Sequence, residues 1–132
     1  MQQRLEKGPG PGGPGLHLAL PWPPSGNRLW RSPNSGPLRG RTLLSAEARQ
    51  YKSKVQAIVD LLDCEPVSGR VFVSMTAFPP DRRRRDLDNL LKIILDSLKG
   101  AAFGDDSLVD RLLIERGPVE AGGLVRVSIR PL

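Results

Sequence analysis

Residues 80–92 read Pro-Asp-Arg-Arg-Arg-Arg-Asp-Leu-Asp-Asn-Leu-Leu-Lys, and the rest of the chain is interpreted outward from this stretch. Four arginines run directly into two carboxylates, Asp86 and Asp88. Apolar residues then recur at i, i+3, i+4 and i+7, which predicts an amphipathic helix from Asp86, its N-cap, to about Lys99. The apolar positions are Leu87, Leu90, Leu91, Ile94, Leu95 and Leu98.

The charges around this helix start favour two interpretations. A helix N-terminus attracts negative charge, which explains the acids but not the cations before them, and those cations suit a polyanion. The alternative is a solvated basic surface followed by ordinary i, i+4 pairs among Asp88, Lys92 and Asp96. Other parts of the sequence are needed to distinguish the two interpretations.

Composition points to an acidic partner. The 132 residues suffice for one domain with a modest core, and the net charge is +6 with a pI near 10.2. Seven of the 14 acids nevertheless lie within residues 81–110. Because such a cluster would repel phosphate, we expect a cation between these acids and a nucleic acid.

The single cysteine and single histidine exclude several kinds of site. Cys64 cannot form a disulfide within the chain, and Cys64 with His17 cannot build a zinc site. His17 is expected to be an ordinary surface or edge residue. No apolar run is long enough to span a membrane and no signal-peptide core is present, so a cytoplasmic protein without membrane contact is expected.

The order of predicted elements is β-α-β-α-β-β. Residues 1–15 are Gly/Pro-rich and predict a disordered tail without a packed element, followed by one domain over residues 16–132. Alternation predicts strands, and Ser45 is the predicted N-cap of a helix that runs to about Asp63. The predicted strands are Leu16–Leu20, Arg70–Phe78, Val109–Arg116 with Leu112 and Ile114 inside, and Leu124–Arg130. The fold class is α/β (α+β), a single domain with a mixed sheet packed by two helices.

A long basic segment, residues 25–44, separates the first strand from the first helix. It carries Arg28, Arg31, Arg39 and Arg41 and no acid. Loops of this length are usually functional or mobile, so these arginines are candidates for DNA contact. Trp30 stands among them, and we interpret it as a packing anchor in preference to a base-stacking residue.

The acids suggest hard-metal chemistry. Asp86, Asp88 and one of Asp105 and Asp106 are the acids that could converge, provided the turn at 103–106 comes back near the start of the 86–99 helix. Oxygen ligands without His or Cys suit Mg²⁺, with Mn²⁺ as a substitute, and phosphodiester hydrolysis uses this chemistry. Lys92 could stabilise transition-state charge, and Asn89 could hold a water or ligand.

Three stretches resemble the RusA family of Holliday junction resolvases. They are Leu20–Ser25 with Asn27-Arg28, Ser45-Ala46-Glu47, and above all Arg82–Leu90, where order and spacing match over nine residues. The resemblance covers about residues 16–132. It implies a small homodimeric, Mg²⁺-dependent endodeoxyribonuclease that nicks four-way DNA junctions symmetrically. Asp86, Asp88 and Asp106 would be metal ligands and Lys92 the essential lysine.

Two departures and two alternatives accompany this resemblance. The segment Asp96–Asp106 is slightly shorter than the family pattern, so Asp105 and Asp106 could exchange roles, and the Gly/Pro-rich N-terminus has no counterpart. One alternative function is a DNA-binding protein of the same fold without catalysis. The other is a nuclease for other branched DNA, because phosphate contacts by Arg82–Arg85 do not declare the shape of the DNA.

Overall fold

The structure, a computed structural model, describes residues 7–10, 13–24, 30–31, 43–63 and 65–132. Two helices and seven strands occur in these residues. In chain order they are β1 (Lys7–Gly10), β2 (Gly13–Leu20), β3 (Trp30–Arg31), β4 (Leu43–Leu44), α1 (Ala46–Leu61), β5 (Val71–Phe78), α2 (Leu87–Leu98), a short 3-10 helix (Asp106–Leu108), β6 (Val109–Arg116) and β7 (Leu124–Pro131).

The main sheet has five strands in the order β1-β2-β7-β5-β6. Strands β5 and β6 are parallel, and every other neighbouring pair is antiparallel. The connection between the parallel strands contains α2, as a crossover requires. The predicted fold class is confirmed: a mixed sheet packed by two helices, with the predicted elements in the predicted order. A separate two-stranded pair, β3 and β4, is additional.

Strand alternation determines which face of the sheet carries the core. In β5 the odd-numbered residues Val71–Ala77 are buried and the even-numbered residues are half-buried. The buried side chains of β2 and β7 follow the same alternation and pack with those of α1 and α2. Both helices therefore cover one face of the sheet. The opposite face is left uncovered by them.

The fully buried face of helix α2 is shifted from the predicted stripe. Its buried residues are Leu90, Ile93, Ile94, Ser97 and Leu98, while Leu87, Leu91 and Leu95 are half-buried. Ser97 is tolerated in the core because its hydroxyl donates to the Ile93 carbonyl at 2.6 Å. The predicted ends are confirmed: Ser45 Oγ caps α1 by accepting from the Ala48 amide at 3.1 Å, and Gly100 follows α2 with φ +84°.

The N-terminal segment differs from the prediction. The expectation of no packed element within residues 1–15 is corrected for β1, which pairs with the first part of β2, Gly13–Leu16. An edge strand needs only half of its backbone groups, so glycine and proline are tolerated there. Gly15 also lies where a side chain would collide with the Ile129 carbonyl of β7.

Strand β6 also corrects an expectation. Leu112 was predicted to lie inside, but it is 42% exposed, and its neighbour Leu113 is 43% exposed. The reason is that β6 is the last strand of the sheet, so its outer side has no strand against it among the described residues. Ile114 is half-buried against the core.

Candidate metal and DNA site

Two of the four arginines before α2, Arg83 and Arg85, contact one carboxylate, Asp81. Asp81 accepts a hydrogen bond from the Arg83 amide at 3.0 Å, and its Oδ1 lies 2.8 Å from Nη1 of Arg85. The Arg83 guanidinium is a second ion-pair partner at 3.4 Å. The hydrogen bond from the Arg85 side chain, followed by that from the Arg83 amide, holds the pKa of Asp81 below its ordinary value.

Arg85 differs from its neighbours because it is packed into the fold. Its side chain is 20% exposed, and its guanidinium lies 5.5 Å from the centre of the Trp22 ring. Its backbone carbonyl accepts a hydrogen bond from Nη2 of Arg116, at the end of β6. Arg82 and Arg84 are exposed. Arg85 therefore holds the segment before α2 against the rest of the fold, whereas the side chains of Arg82 and Arg84 are exposed to solvent.

The two carboxylates of the focal stretch are both exposed at the start of α2. Asp86 is the N-cap residue, with extended backbone angles (φ −93°, ψ 131°), but its side chain makes no capping hydrogen bond. Asp88 lies in the first helical turn. The predicted position of Asp86 is confirmed, and its carboxylate is not used to satisfy the helix end. Both carboxylates can therefore serve as oxygen ligands.

Lys92 and Asn89 are also exposed on α2. Lys92 follows Asp88 by four residues, so the two side chains share one helix face. Asp96, one turn further, is 26% exposed and lies 3.7 Å from Nζ of Lys52 on α1. Asp96 therefore forms its ion pair with the other helix and not with Lys92 at i, i+4. Asp88 and Lys92 have no ion pair among the described residues.

The acidic turn lies at the other end of the sheet from Asp86 and Asp88. Because β5 and β6 are parallel and Val71 pairs with Val109, the 3-10 helix before β6 lies beside the start of β5. Asp86 follows the end of β5, about 25 Å away along the strand. The assumption that the turn comes back near the start of α2 is therefore wrong within one chain.

Asp105 and Asp106 are both exposed but have different local roles. The Asp105 carboxylate accepts from the Ser107 hydroxyl at 2.7 Å and from the Ser107 amide at 3.0 Å. These bonds hold the pKa of Asp105 below its ordinary value. Asp106 begins the 3-10 helix. Asp105 is thus occupied as a cap, which leaves Asp106 as the better candidate ligand of the two.

Within the part of the chain that the structure describes, no three His, Cys, Asp or Glu side chains lie close enough to hold a metal ion. A single chain thus offers the Asp86 and Asp88 pair and, separately, Asp106. Mg²⁺ is commonly held by one or two carboxylates plus substrate phosphates and water, so the first pair still fits its chemistry.

Several predicted residues fall outside the described part of the chain: Arg28, Arg39, Arg41 and Cys64. Asp81 was assigned no role from the sequence. No helical pattern covers Asp81 and Arg85, so their i, i+4 spacing did not predict the contact. None of the described helices is long and apolar enough to cross a membrane.

Comparisons with known proteins agree with the motif. A family model described as Endodeoxyribonuclease RusA matches residues 21–130. A crossover junction endodeoxyribonuclease of Enterobacteria phage 82 is 42% identical over 119 residues, covering 86% of this chain and 92% of that protein. A protein of the same description from Shigella sonnei is 41% identical over 118 residues, covering 85% and 91%. One from Escherichia coli has the same identity and coverage.

Proposed function

Because the chain belongs to the RusA endodeoxyribonuclease family, we propose that it is a Mg²⁺-dependent enzyme that resolves four-way DNA junctions by paired, symmetric nicks. One observation carries the proposal: two exposed carboxylates, neither engaged in capping nor in an ion pair, stand at a helix start directly after four arginines. A basic segment holds phosphate near the pair, and the pair holds the metal ion.

The residues present fit a magnesium ion. Asp86 and Asp88 supply two hard oxygen ligands, and the chemistry that Mg²⁺ supplies when bound is activation of water and stabilisation of charge on the leaving oxygen. Mn²⁺ has the same preference for oxygen and should substitute. Lys92 adds a positive charge on the Asp88 face, where it can stabilise charge on the reacting phosphate. Asn89 can orient a water or a ligand.

DNA contact is assigned to the exposed arginines. Arg82 and Arg84 point into solvent and can reach backbone phosphates, while Arg83 exchanges its exposed Asp81 contact for phosphate at little cost. Arg28, Arg39 and Arg41 remain predictions. Arg85 contributes indirectly. Its ion pair with Asp81 and its contact with the Trp22 ring fix the direction of the Arg82–Arg85 segment.

A two-fold homodimer would join the two separated acidic regions. Strand β6 is an exposed edge with Leu112 and Leu113 on its two sides. If two copies of β6 pair in antiparallel fashion, the start of each β6 lies beside the end of the other. The end of β6 is tied to Arg85, next to Asp86, by the Arg116 hydrogen bond. Each Asp106 would then approach the partner's acidic pair, twice per dimer.

Cleavage assays with end-labelled four-way junction, flap and linear duplex test the proposal. We expect Mg²⁺-dependent cleavage of the junction at symmetric positions, no cleavage in EDTA, and recovery with Mn²⁺. Asp86→Asn and Asp88→Asn should abolish cleavage and retain junction binding, whereas Asp60→Asn on the exposed face of α1 should cleave normally. Wild-type rates in either acidic variant would remove the metal assignment.

The assay also separates the alternatives. Tight junction binding without cleavage in any divalent ion would identify the non-catalytic DNA-binding protein. Faster cleavage of flap than of four-way junction would identify a nuclease for other branched DNA. The cytoplasmic location stays a prediction.

A further inference from the structure

A pocket opens on the sheet face that the two helices leave uncovered. It has a volume of about 240 Å³ and is lined by His17, Ser74, Thr76, Arg126 and Ser128, with Leu18 and Val127 completing the lining. A water molecule takes about 30 Å³ in the liquid, so the space accommodates a phosphate group with several waters. Asp86 and Asp88 are not part of this lining.

Strand register brings the polar residues of the pocket together. Ser128 on β7 is the cross-strand neighbour of both His17 on β2 and Ser74 on β5. These three side chains form a row across three strands that lie about 4.8 Å apart. Two residues along, Arg126 pairs with Thr76 and forms the next row. Three hydroxyls, one imidazole and one guanidinium therefore face a common space.

His17 supplies an independent observation. Its Nε2 atom is shielded from solvent and has no hydrogen-bond partner among the described residues. His17 is half-buried, and its described strand partner is Ser128 of β7, because the described pairing with β1 ends at Leu16. An unsatisfied buried polar atom is unfavourable, and such atoms in native structures call for an explanation such as a bound group.

The chemistry of the lining selects an anion. Serine and threonine hydroxyls donate, Arg126 carries a permanent positive charge, and an imidazole protonated at Nε2 donates as well. The row of Arg126 and Thr76 continues on β6 with one carboxylate, Glu115, which pairs with Thr76. Glu115 does not line the pocket. We propose that this pocket binds a phosphate group, either a backbone phosphate of DNA or the phosphate of a free nucleotide.

The first experiment uses inorganic phosphate as the probe, added against chloride at constant ionic strength and followed by NMR. Because His17 is the single histidine of the chain, its imidazole resonances need no assignment. We expect saturable shifts of the His17 imidazole and of the Ser74 and Ser128 amides. Unmoved His17 resonances, or shifts that never saturate, would overturn the proposal and leave a pocket filled by water alone.

Variants add a matched control. Arg126→Ala should weaken phosphate binding about tenfold, as expected for loss of a charged hydrogen bond. Arg111→Ala removes the same charge from the same sheet face, where Arg111 stacks on Phe72 at 4.6 Å, and should bind normally. Equal weakening in both variants would mean a diffuse basic surface and would contradict a built site. Thermal melts establish that both variants fold.

A second arm distinguishes the two sources of phosphate and is independent of cleavage. Binding of an uncleaved DNA duplex is measured against salt in the absence of divalent ions. If the ligand is DNA backbone, Arg126→Ala should flatten the salt slope by about 0.9 and Arg111→Ala should not. An unchanged slope combined with saturable phosphate binding would assign the pocket to a free nucleotide. No response in either arm would refute the phosphate site, whatever the outcome of the cleavage assays.

Discussion

Nη1 of Arg85 lies 2.8 Å from Oδ1 of Asp81, and the same guanidinium lies over the Trp22 ring. This relationship joins the segment before α2 to the segment after β2. The i, i+4 spacing of the two residues occurs outside any helix, in a bend that Asp81 stabilises by accepting from the Arg83 amide. These contacts therefore give the Arg82–Arg85 segment a defined conformation.

We expect Asp81→Asn to lower the melting temperature at pH 7. The pKa of Asp81 is depressed in the folded protein, so its contribution is present above the unfolded pKa and is lost as pH falls through the folded pKa. The difference in melting temperature between wild type and Asp81→Asn should therefore shrink below about pH 4. Asp60→Asn serves as the control and should not reproduce this pH dependence. A difference that is constant from pH 7 to pH 3 would contradict the ion pair.

Lys92→Ala should reduce junction cleavage by about 10²-fold or more, as removal of a transition-state donor does in other enzymes, with junction binding retained. Lys92→Arg keeps the charge with a different geometry and should recover only part of the rate. Lys54→Ala, which removes the same charge from α1, should cleave normally. If binding and cleavage by Lys92→Ala fall together, Lys92 is an ordinary phosphate contact.

Arg82→Gln and Arg84→Gln should each flatten the salt dependence of junction binding by about 0.9 per lost phosphate contact, without loss of stability. Arg85→Gln should lower the melting temperature because it removes the contacts with Asp81 and Trp22. Combined neutralisation of Arg28, Arg39 and Arg41 tests the 25–44 segment in the same assay. An unchanged salt dependence of junction binding for that variant would show that the 25–44 segment does not contact DNA.

The fold was predictable because periodicity alone separates strand from helix in this chain. Val71–Ala77 alternates cleanly, and Leu90–Leu98 repeats at helical spacing. Register and strand order were not predictable, because they depend on contacts between distant segments. Leu112 was misjudged for this reason: alternation marks it as apolar on one face but does not say that β6 is the last strand.

The part of the candidate site that depends on local geometry was also predictable from the sequence. Asp86, Asp88 and Lys92 lie within seven residues, so local helical geometry places them together. Asp106 depends on the direction of β6 relative to β5, and the parallel pairing puts it at the far end. The strand–helix–strand order of β5, α2 and β6 allows the parallel pairing, but it does not determine which strands are neighbours.

Leu113→Lys should weaken self-association. Leu113 is exposed on the outer strand, and a charge at an edge strand opposes pairing with a second copy. Sedimentation equilibrium near micromolar concentration should show a dimer for wild type and a larger monomer fraction for the variant. Leu61→Lys, at an 82% exposed position on α1, is the control and should remain dimeric. A monomeric wild-type protein in this measurement would contradict the proposal that two copies pair through β6.

Mixing two inactive variants tests whether the acids of both subunits build one site. In a heterodimer of Asp88→Asn and Asp106→Asn, one site carries both substitutions, while the other combines an intact Asp88 with an intact Asp106 from the partner. Random exchange makes half of the dimers mixed, so roughly a quarter of wild-type nicking should return, as single nicks instead of paired ones. Mixing Asp86→Asn with Asp88→Asn is the matched control, because both substitutions affect the same half of the site and every mixed site stays damaged. Recovery in the control as well would contradict the assignment of Asp86 and Asp88 to the same half of the site, and no recovery in either mixture would refute the shared site.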